Sequence, residues 1–295
     1  MATPAGFEPA TPGLGIRCSI LLSYGARYAL PLPSRCRIVK RGAGRRRGGR
    51  RRQVEAGEAV SAILVITGLE REAAILRRAL ARAPRAVAAR VVIACAGPGP
   101  RAALAAMRRA QDEAARRGPA AELCLSAGFA AALIPALEPG TAVLPAEIVA
   151  RDGRWPARAA GALAAALPAL PVARLAEAAA PLTTPAAKTR LHLKTGAVAA
   201  DMESAALARA CADRGIAFAA LRVISDAQAH RLPRAVIAAV DDAGRLSPGR
   251  LSAGLLARPS DWGAFAGLAR AGLRAEAALG RLGAALFEVA LPGLL

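Results

Sequence analysis

A chain of 295 residues with a formal net charge of +20, 55% hydrophobic but only 3% aromatic, is long enough for one large α/β domain or two smaller ones with a full core. Its longest uncharged apolar stretches, such as Leu123 to Leu137 with its glycine and proline, fall short of the roughly 20 residues a membrane helix needs, so no span is expected. Five cysteines with no CxxC pair argue against a disulfide framework and suit a reducing cytoplasm.

The excess charge is unevenly spread. Residues 1 to 59 carry twelve Lys or Arg against Glu8, Glu55 and Glu58, so this segment alone supplies +9. Its run Arg45, Arg46, Arg47, Arg50, Arg51, Arg52 is interleaved with glycine and has no aromatic to stack a base. It reads as a disordered, solvated basic segment, with a nucleic-acid-binding arm as the alternative of another class. The string from Gly6 to Ala26 resembles the conceptual translation of a transfer-RNA gene. Residues 1–59 are therefore expected to be spurious upstream translation, with the folded domain at residues 60–295.

Ala62 to Thr67 is a compact apolar run and reads as a first strand, followed by Gly68 and a helix from Glu70 through Arg82. Glu72 falls in the first turn of that helix, where it either complements the helix dipole or faces a crevice at the strand's carboxyl end. Val87 to Cys95 reads as a second strand. The turn Gly97-Pro-Gly-Pro-Arg-Ala102 leads from it into a helix ending near Arg117. Gly97, Gly99 and Ala102 meet a GxGxxA spacing and raise a nucleotide-cofactor oxidoreductase as a further reading. Glu122 opens the next strand instead of standing at its end, where a ribose diol would need it, so the glycines read as a tight turn. Arg101, at the helix start, is a candidate anion contact for phosphate.

Glu122 to Ala127 reads as a third strand opening into Gly128-Phe-Ala-Ala-Ala-Leu-Ile-Pro135, and Thr141 to Val149 as a fourth. Residues 158–180 are rich in alanine and proline and read as helix and loop. Thr184 then caps a helix with Pro185 in its first position. His192 at that helix end reads as a cation, and His230 sits just beyond Asp226; without Cys or acid at ligand spacing, the two make no metal site.

The most informative stretch is Thr195 to Gln228. Val198 to Ala200 is a short apolar run, Asp201 a candidate N-cap, and the alanine-rich segment that follows has helical spacing up to a C-cap at Gly215. Ile216 to Ile224 reads as a buried strand. Strand, helix and strand in that order predict a βαβ unit with parallel strands. Asp201, Met202 and Glu203 then stand at one carboxyl end, and Ser225 and Asp226 at the other, along the edge where open α/β sheets bind ligands. The Met202 thioether suits the face of an aromatic ring. Beyond Arg231-Leu-Pro233 the chain becomes helical, with Ser247 or Pro248 opening one helix and Asp261 a longer one to about Val289.

Asp201-Met-Glu-Ser204 and Ile224-Ser-Asp226, with a helix between them, resemble the paired motifs of the purine nucleoside phosphorylase and nucleosidase superfamily. The resemblance implies a three-layer αβα fold with a mixed central sheet. It implies that Glu203 binds the ribose hydroxyls, that Met202 packs on the nucleoside with Ser225 beside it, and that Asp226 protonates the leaving purine. In the nucleosidase branch the glutamate matching Glu72 activates the attacking water. The segment from Gly128 would let the backbone reach base and sugar, although Ala131 and Ala132 replace the usual Gly-Gly pair. The order of Arg222-Val-Ile-Ser-Asp, Arg231-Leu-Pro, an Asp-Asp-Ala-Gly turn and Leu256-Ala-Arg-Pro-Ser260 is similar to the hopanoid-associated phosphorylases. That implies cleavage of the N-glycosidic bond of an adenine nucleoside, adenosylhopane in hopanoid side-chain synthesis, by phosphorolysis or hydrolysis. The alternative within the superfamily is an MTA/SAH-type adenine nucleosidase. No organic cofactor or metal is implied; inorganic phosphate stands open as co-substrate, a homodimer is expected, and a lipid-linked nucleoside would bring peripheral membrane contact without nucleic acid.

Overall fold

The computed structural model describes residues 61–118, 120–239 and 247–293. The basic segment 1–59 and the Asp-Asp-Ala-Gly turn lie outside the described residues. Strand β1 (Ala62–Thr67) is buried along its whole length, as a continuous apolar run in a parallel sheet covered on both faces should be. It pairs in parallel with β2 (Val91–Cys95) on one side and with β3 (Ala121–Ala132) on the other.

The chain moves from β1 to β2 through helices α1 (Glu70–Leu80) and α2 (Arg85–Arg90), then back past β1 to β3 through α3 (Pro100–Arg117). Right-handed crossovers in opposite directions place α1 and α3 on opposite faces of the sheet. The later elements β4 (Ala142–Ala150), β5 (Gly153–Pro156), α4 (Ala160–Ala166), β6 (Val172–Glu177) and α5 (Pro185–Thr195) are followed by β7 (Ala199–Asp201), α6 (Ser204–Arg214) and β8 (Ala217–Asp226). Short α7 (Arg234–Ala238) and α8 (Pro248–Leu256) precede the long α9 (Trp262–Ala285), which packs on α1 while α6 packs on α3. Helices thus cover both faces of an eight-stranded mixed sheet, the expected three-layer arrangement. Among the described residues no helix is long and apolar enough to cross a membrane.

Three local expectations are corrected. The second strand begins at Val91, because the alanine- and arginine-rich segment Arg85–Arg90 is helical after Pro84, burying Val87. Residues 158–180 contain β6 as well as a helix. Its alanines gave no period, and the strand is defined by parallel pairing with β4 and β7. The largest correction concerns β7, α6 and β8: β8 runs parallel to β3, whereas β7 runs antiparallel to it, so the two do not form a parallel βαβ unit. β7 has only three residues and joins β3 at its last two, where the sheet has already curled over. The pairings β3–β8–β4–β6–β7–β3 close a ring.

That closure positions the site. Ala131 faces Ala200 of β7 on one side and Asp226 of β8 on the other, so the two motif-bearing segments meet at one residue of β3. Both Ala131 and Ala132 lie in extended strand, where the added methyl requires no left-handed backbone.

Candidate active site

Four strand ends supply the candidate groups: the β1–α1 turn carries Gly68 and Glu72, the β2–α3 turn Gly99, the β7–α6 turn Asp201 to Ser204, and the end of β8 Asp226. This lies at a reversal of strand order beyond the carboxyl ends of β1, β3 and β8, where ligands bind in such sheets.

Glu72 is buried at 3% exposure and does more than complement a helix dipole. Its Oε2 accepts from the backbone N–H groups of Gly68 (3.0 Å) and Leu69 (2.9 Å), the back-reach of a glutamate at the third helical position. Its Oε1 reaches across to accept from Phe129 N–H at 2.6 Å on β3. Burial pushes its carboxyl up to about 7, against the opposing pull of Arg222 and the N–H donors, with nearby Glu203 adding to the rise.

Glu203 is also buried, and its Oε1 accepts from Gly99 N–H at 2.7 Å. The glycine turn that raised a dinucleotide reading therefore docks a carboxylate, with Gly99 at φ 91°. Burial, and then the neighbouring Asp201, raise the Glu203 carboxyl above its ordinary range. Glycines make room for both acids. A Cβ on Gly128 would stand 2.5 Å from Glu72 Oε1, and one on Gly68 would stand 3.1 Å from the Glu203 carboxyl.

Asp201, expected as a cap, does accept from Ser204 N–H at 3.3 Å, but its main partner is Arg222. That arginine is 1% exposed inside β8; Nη2 pairs with Asp201 Oδ2 and donates to the hydroxyls of Ser126 and Ser204. Ser204 Oγ in turn donates to Asp201 Oδ2. The first position of α6 follows Glu203, not Asp201. Sequence reasoning missed the role of Arg222, yet a cation inside the otherwise apolar run Ile216 to Ile224 was a usable signal, since buried charge needs a partner.

Asp226 is buried at 5% exposure and lies 2.6 Å from the ammonium of Lys188 on α5, an ion pair that sequence reasoning also missed. His230 Nδ1 lies 3.7 Å from the other carboxylate oxygen, which puts this histidine beside the acid. Burial raises the Asp226 carboxyl, while Lys188 and then His230 pull it back. Met202 and Ser225 are half-buried, Met202 against the small cluster of Leu133, Ala176, Ala178, Ala197 and Ala200. Arg101 is exposed in the first turn of α3. His192 Nδ1 is 2.7 Å from the Ala197 carbonyl oxygen, joining the end of α5 to the approach to β7.

The site thus offers two buried acids from separate turns, a third acid beside a lysine, and a shielded arginine paired with Asp201. Among solved structures, the fold is similar to the 5′-methylthioadenosine/S-adenosylhomocysteine nucleosidase of Campylobacter jejuni, at TM-score 0.51 and 14% identity over 76% of this chain and 98% of that one. It is similar to the Helicobacter pylori nucleosidase of the same name bound to a pyrrolidin-3-ol ligand, at 0.50 and 16% over 58% and 88%. An aspartate-to-asparagine variant of the Helicobacter pylori enzyme holding 5′-methylthioadenosine gives 0.52 and 14% over 67% and 99%. At these identities the likeness is one of fold. No curated protein matches the chain. The family model described as the phosphorylase superfamily matches residues 62–253, well over half of the chain, so the chain belongs to that superfamily and is an N-glycosyl-cleaving enzyme.

Proposed function

We propose that this enzyme hydrolyses the N-glycosidic bond of an adenine nucleoside, with Asp226 as the acid for the leaving base, Glu203 on the ribose hydroxyls and Glu72 as the base for water. The bond from C1′ to the purine breaks with its electron pair going to the base. Asp226 delivers a proton to a ring nitrogen, so the base leaves neutral. Water adds to the ribosyl cation-like centre and gives its proton to Glu72.

The observation that carries hydrolysis over phosphorolysis is the pairing of Glu72 and Glu203 on either side of Gly68. Two buried carboxylates repel a phosphate anion but suit a neutral water. Arg222, Ser126 and Ser204, which could attract phosphate, are tied to one another and to Asp201. The neighbours named above are nucleosidases acting on 5′-methylthioadenosine and S-adenosylhomocysteine, which supports an adenine nucleoside. The finer substrate, adenosylhopane, rests on the segments Arg222–Asp226, Arg231–Pro233 and Leu256–Ser260 and their similarity to the hopanoid-associated phosphorylases. Product analysis with adenosylhopane and 5′-methylthioadenosine, with and without phosphate, tests both points. Adenine and the 5-substituted ribose with a free 1-hydroxyl, at equal rate in both buffers, are expected; a sugar 1-phosphate appearing only with phosphate would overturn the hydrolytic reading.

Two further outcomes follow from Glu72. As a base it must be ionised, and its carboxyl stands at about 7, so kcat should fall about tenfold per pH unit below that point and level off above it. A profile flat from pH 5 to 8 would remove Glu72 from the role. Gly128→Ala would drive a methyl into the Glu72 carboxylate and displace it from the Phe129 N–H. Misplacing a catalytic group by about 1 Å costs on the order of 10²-fold, so kcat/KM should fall by that much while circular dichroism stays unchanged.

A further inference from the structure

A general acid must hold a proton, yet Asp226 lies 2.6 Å from the Lys188 ammonium, a distance that favours the carboxylate. The surroundings of Lys188 resolve this. Its side chain is fully buried, and its Nζ also donates to the backbone carbonyls of Ala227 (2.7 Å) and His230 (2.9 Å). Three acceptors thus meet one nitrogen, all from the end of β8 and the turn after it. An ammonium satisfies all three with its three N–H bonds. A neutral amine satisfies the same three points differently: two N–H bonds to the carbonyls, and a lone pair accepting from a protonated Asp226. Both forms keep Nζ engaged at all three points, so the proton can move between Nζ and Oδ2 with little rearrangement.

We propose that Lys188 is the positioning residue of the leaving-group acid: it fixes Asp226 and the turn from Ala227 to His230, and it supplies through Asp226 the proton that the departing base takes. This rests on the reading of Asp226 given above and goes beyond it. The N–H bond of Lys188 breaks as the Asp226 O–H bond forms, and the O–H bond then breaks as the purine N–H bond forms. Lys188 ends neutral and Asp226 returns to carboxylate. The water's proton goes to Glu72, and after product release Glu72 gives that proton to solvent while one proton from solvent resets Lys188. Lys188 on α5 and His230 after β8 are the charged or titratable groups that face Asp226 among the described residues. His230, with a side chain 36% exposed at 3.7 Å, is the solvent-side neighbour.

The pair titrates as a unit, which gives the test its sign. In the wild type one shared proton persists until Lys188 loses it, below the ordinary lysine range because burial lowers the ammonium while Asp226 pulls it back up, so turnover should hold to higher pH than a lone carboxyl allows. Lys188→Met leaves Asp226 alone. Its own proton is lost at lower pH, so the alkaline limb should move down, with turnover falling about tenfold per pH unit beyond it, while acid-side turnover is far better retained. Lys188→Arg keeps a cation that cannot give up its proton, and should be slow at every pH. A Lys188→Met limb unmoved from the wild type, or near-normal turnover in Lys188→Arg, would overturn the proposal. The Lys188 Nζ titration, followed by NMR, gives a readout independent of turnover and of whether Lys188→Met folds. Asp226→Asn should shift that titration to lower pH by removing the carboxylate, and an unchanged titration would overturn the coupling. The two claims fail differently. Asp226→Asn keeping full turnover sinks the acid assignment; Asp226→Asn inactive beside an unmoved Lys188→Met limb sinks only the role of Lys188.

Discussion

Asp226→Asn is expected to lower kcat on an adenine nucleoside by about 10²- to 10⁴-fold, the usual loss when a general acid is removed. A neutral purine leaves far more readily than its anion, so the proton donor beside the base decides the rate. The amide preserves the shape of the carboxyl and can still accept from Lys188, which keeps its two carbonyl partners at Ala227 and His230. The variant should therefore fold, and KM should move much less than kcat, because the proton is transferred only as the bond breaks. Steady-state kinetics, with thermal unfolding as the control on folding, checks this. A folded variant with near-normal kcat would refute the mechanism, whatever the substrate.

Arg222→Met should destabilise the domain by about 3–5 kcal/mol, the range for removing one partner of a buried ion pair. Methionine fills much of the space but leaves the Asp201 carboxylate without its cation beneath α6, together with two serine hydroxyls whose arrangement Arg222 fixes. The loss reflects an uncompensated charge more than a missing attraction. The double variant Arg222→Met, Asp201→Asn should accordingly recover part of the stability, and chemical denaturation of the four proteins gives the coupling directly. A single-variant loss under about 1 kcal/mol would show that water reaches the pair, contrary to its 1% side-chain exposure on both partners.

Much of this protein was legible where the information is local. The run Ala62–Thr67, the Pro100–Arg117 helix after its glycine turn, the Thr184 cap with Ala187 N–H on its hydroxyl, and the left-handed cap at Gly215 depend on neighbours a few residues away. The segments around Glu203 and Asp226 were readable as strand ends, and β7 and β8 do end at Asp201 and Asp226. Glu72 was legible as a candidate, but its bond to Phe129 was not, since that contact spans 57 positions.

What only the tertiary structure decided is which distant surfaces meet. Lys188 sits in a polar, weakly amphipathic helix and looks like any solvated lysine until α5 folds beneath the end of β8, 39 residues before the Ala227 carbonyl it binds. The direction of β7 has the same origin. Three residues carry too little pairing preference to choose parallel or antiparallel, and the choice was made by the ring of five strands closing around them. Backbone propensity and capping act over a few residues and so are written in the chain; strand direction and buried ion pairs minimise the exposure of groups far apart in sequence, and exist only once the fold has brought them together.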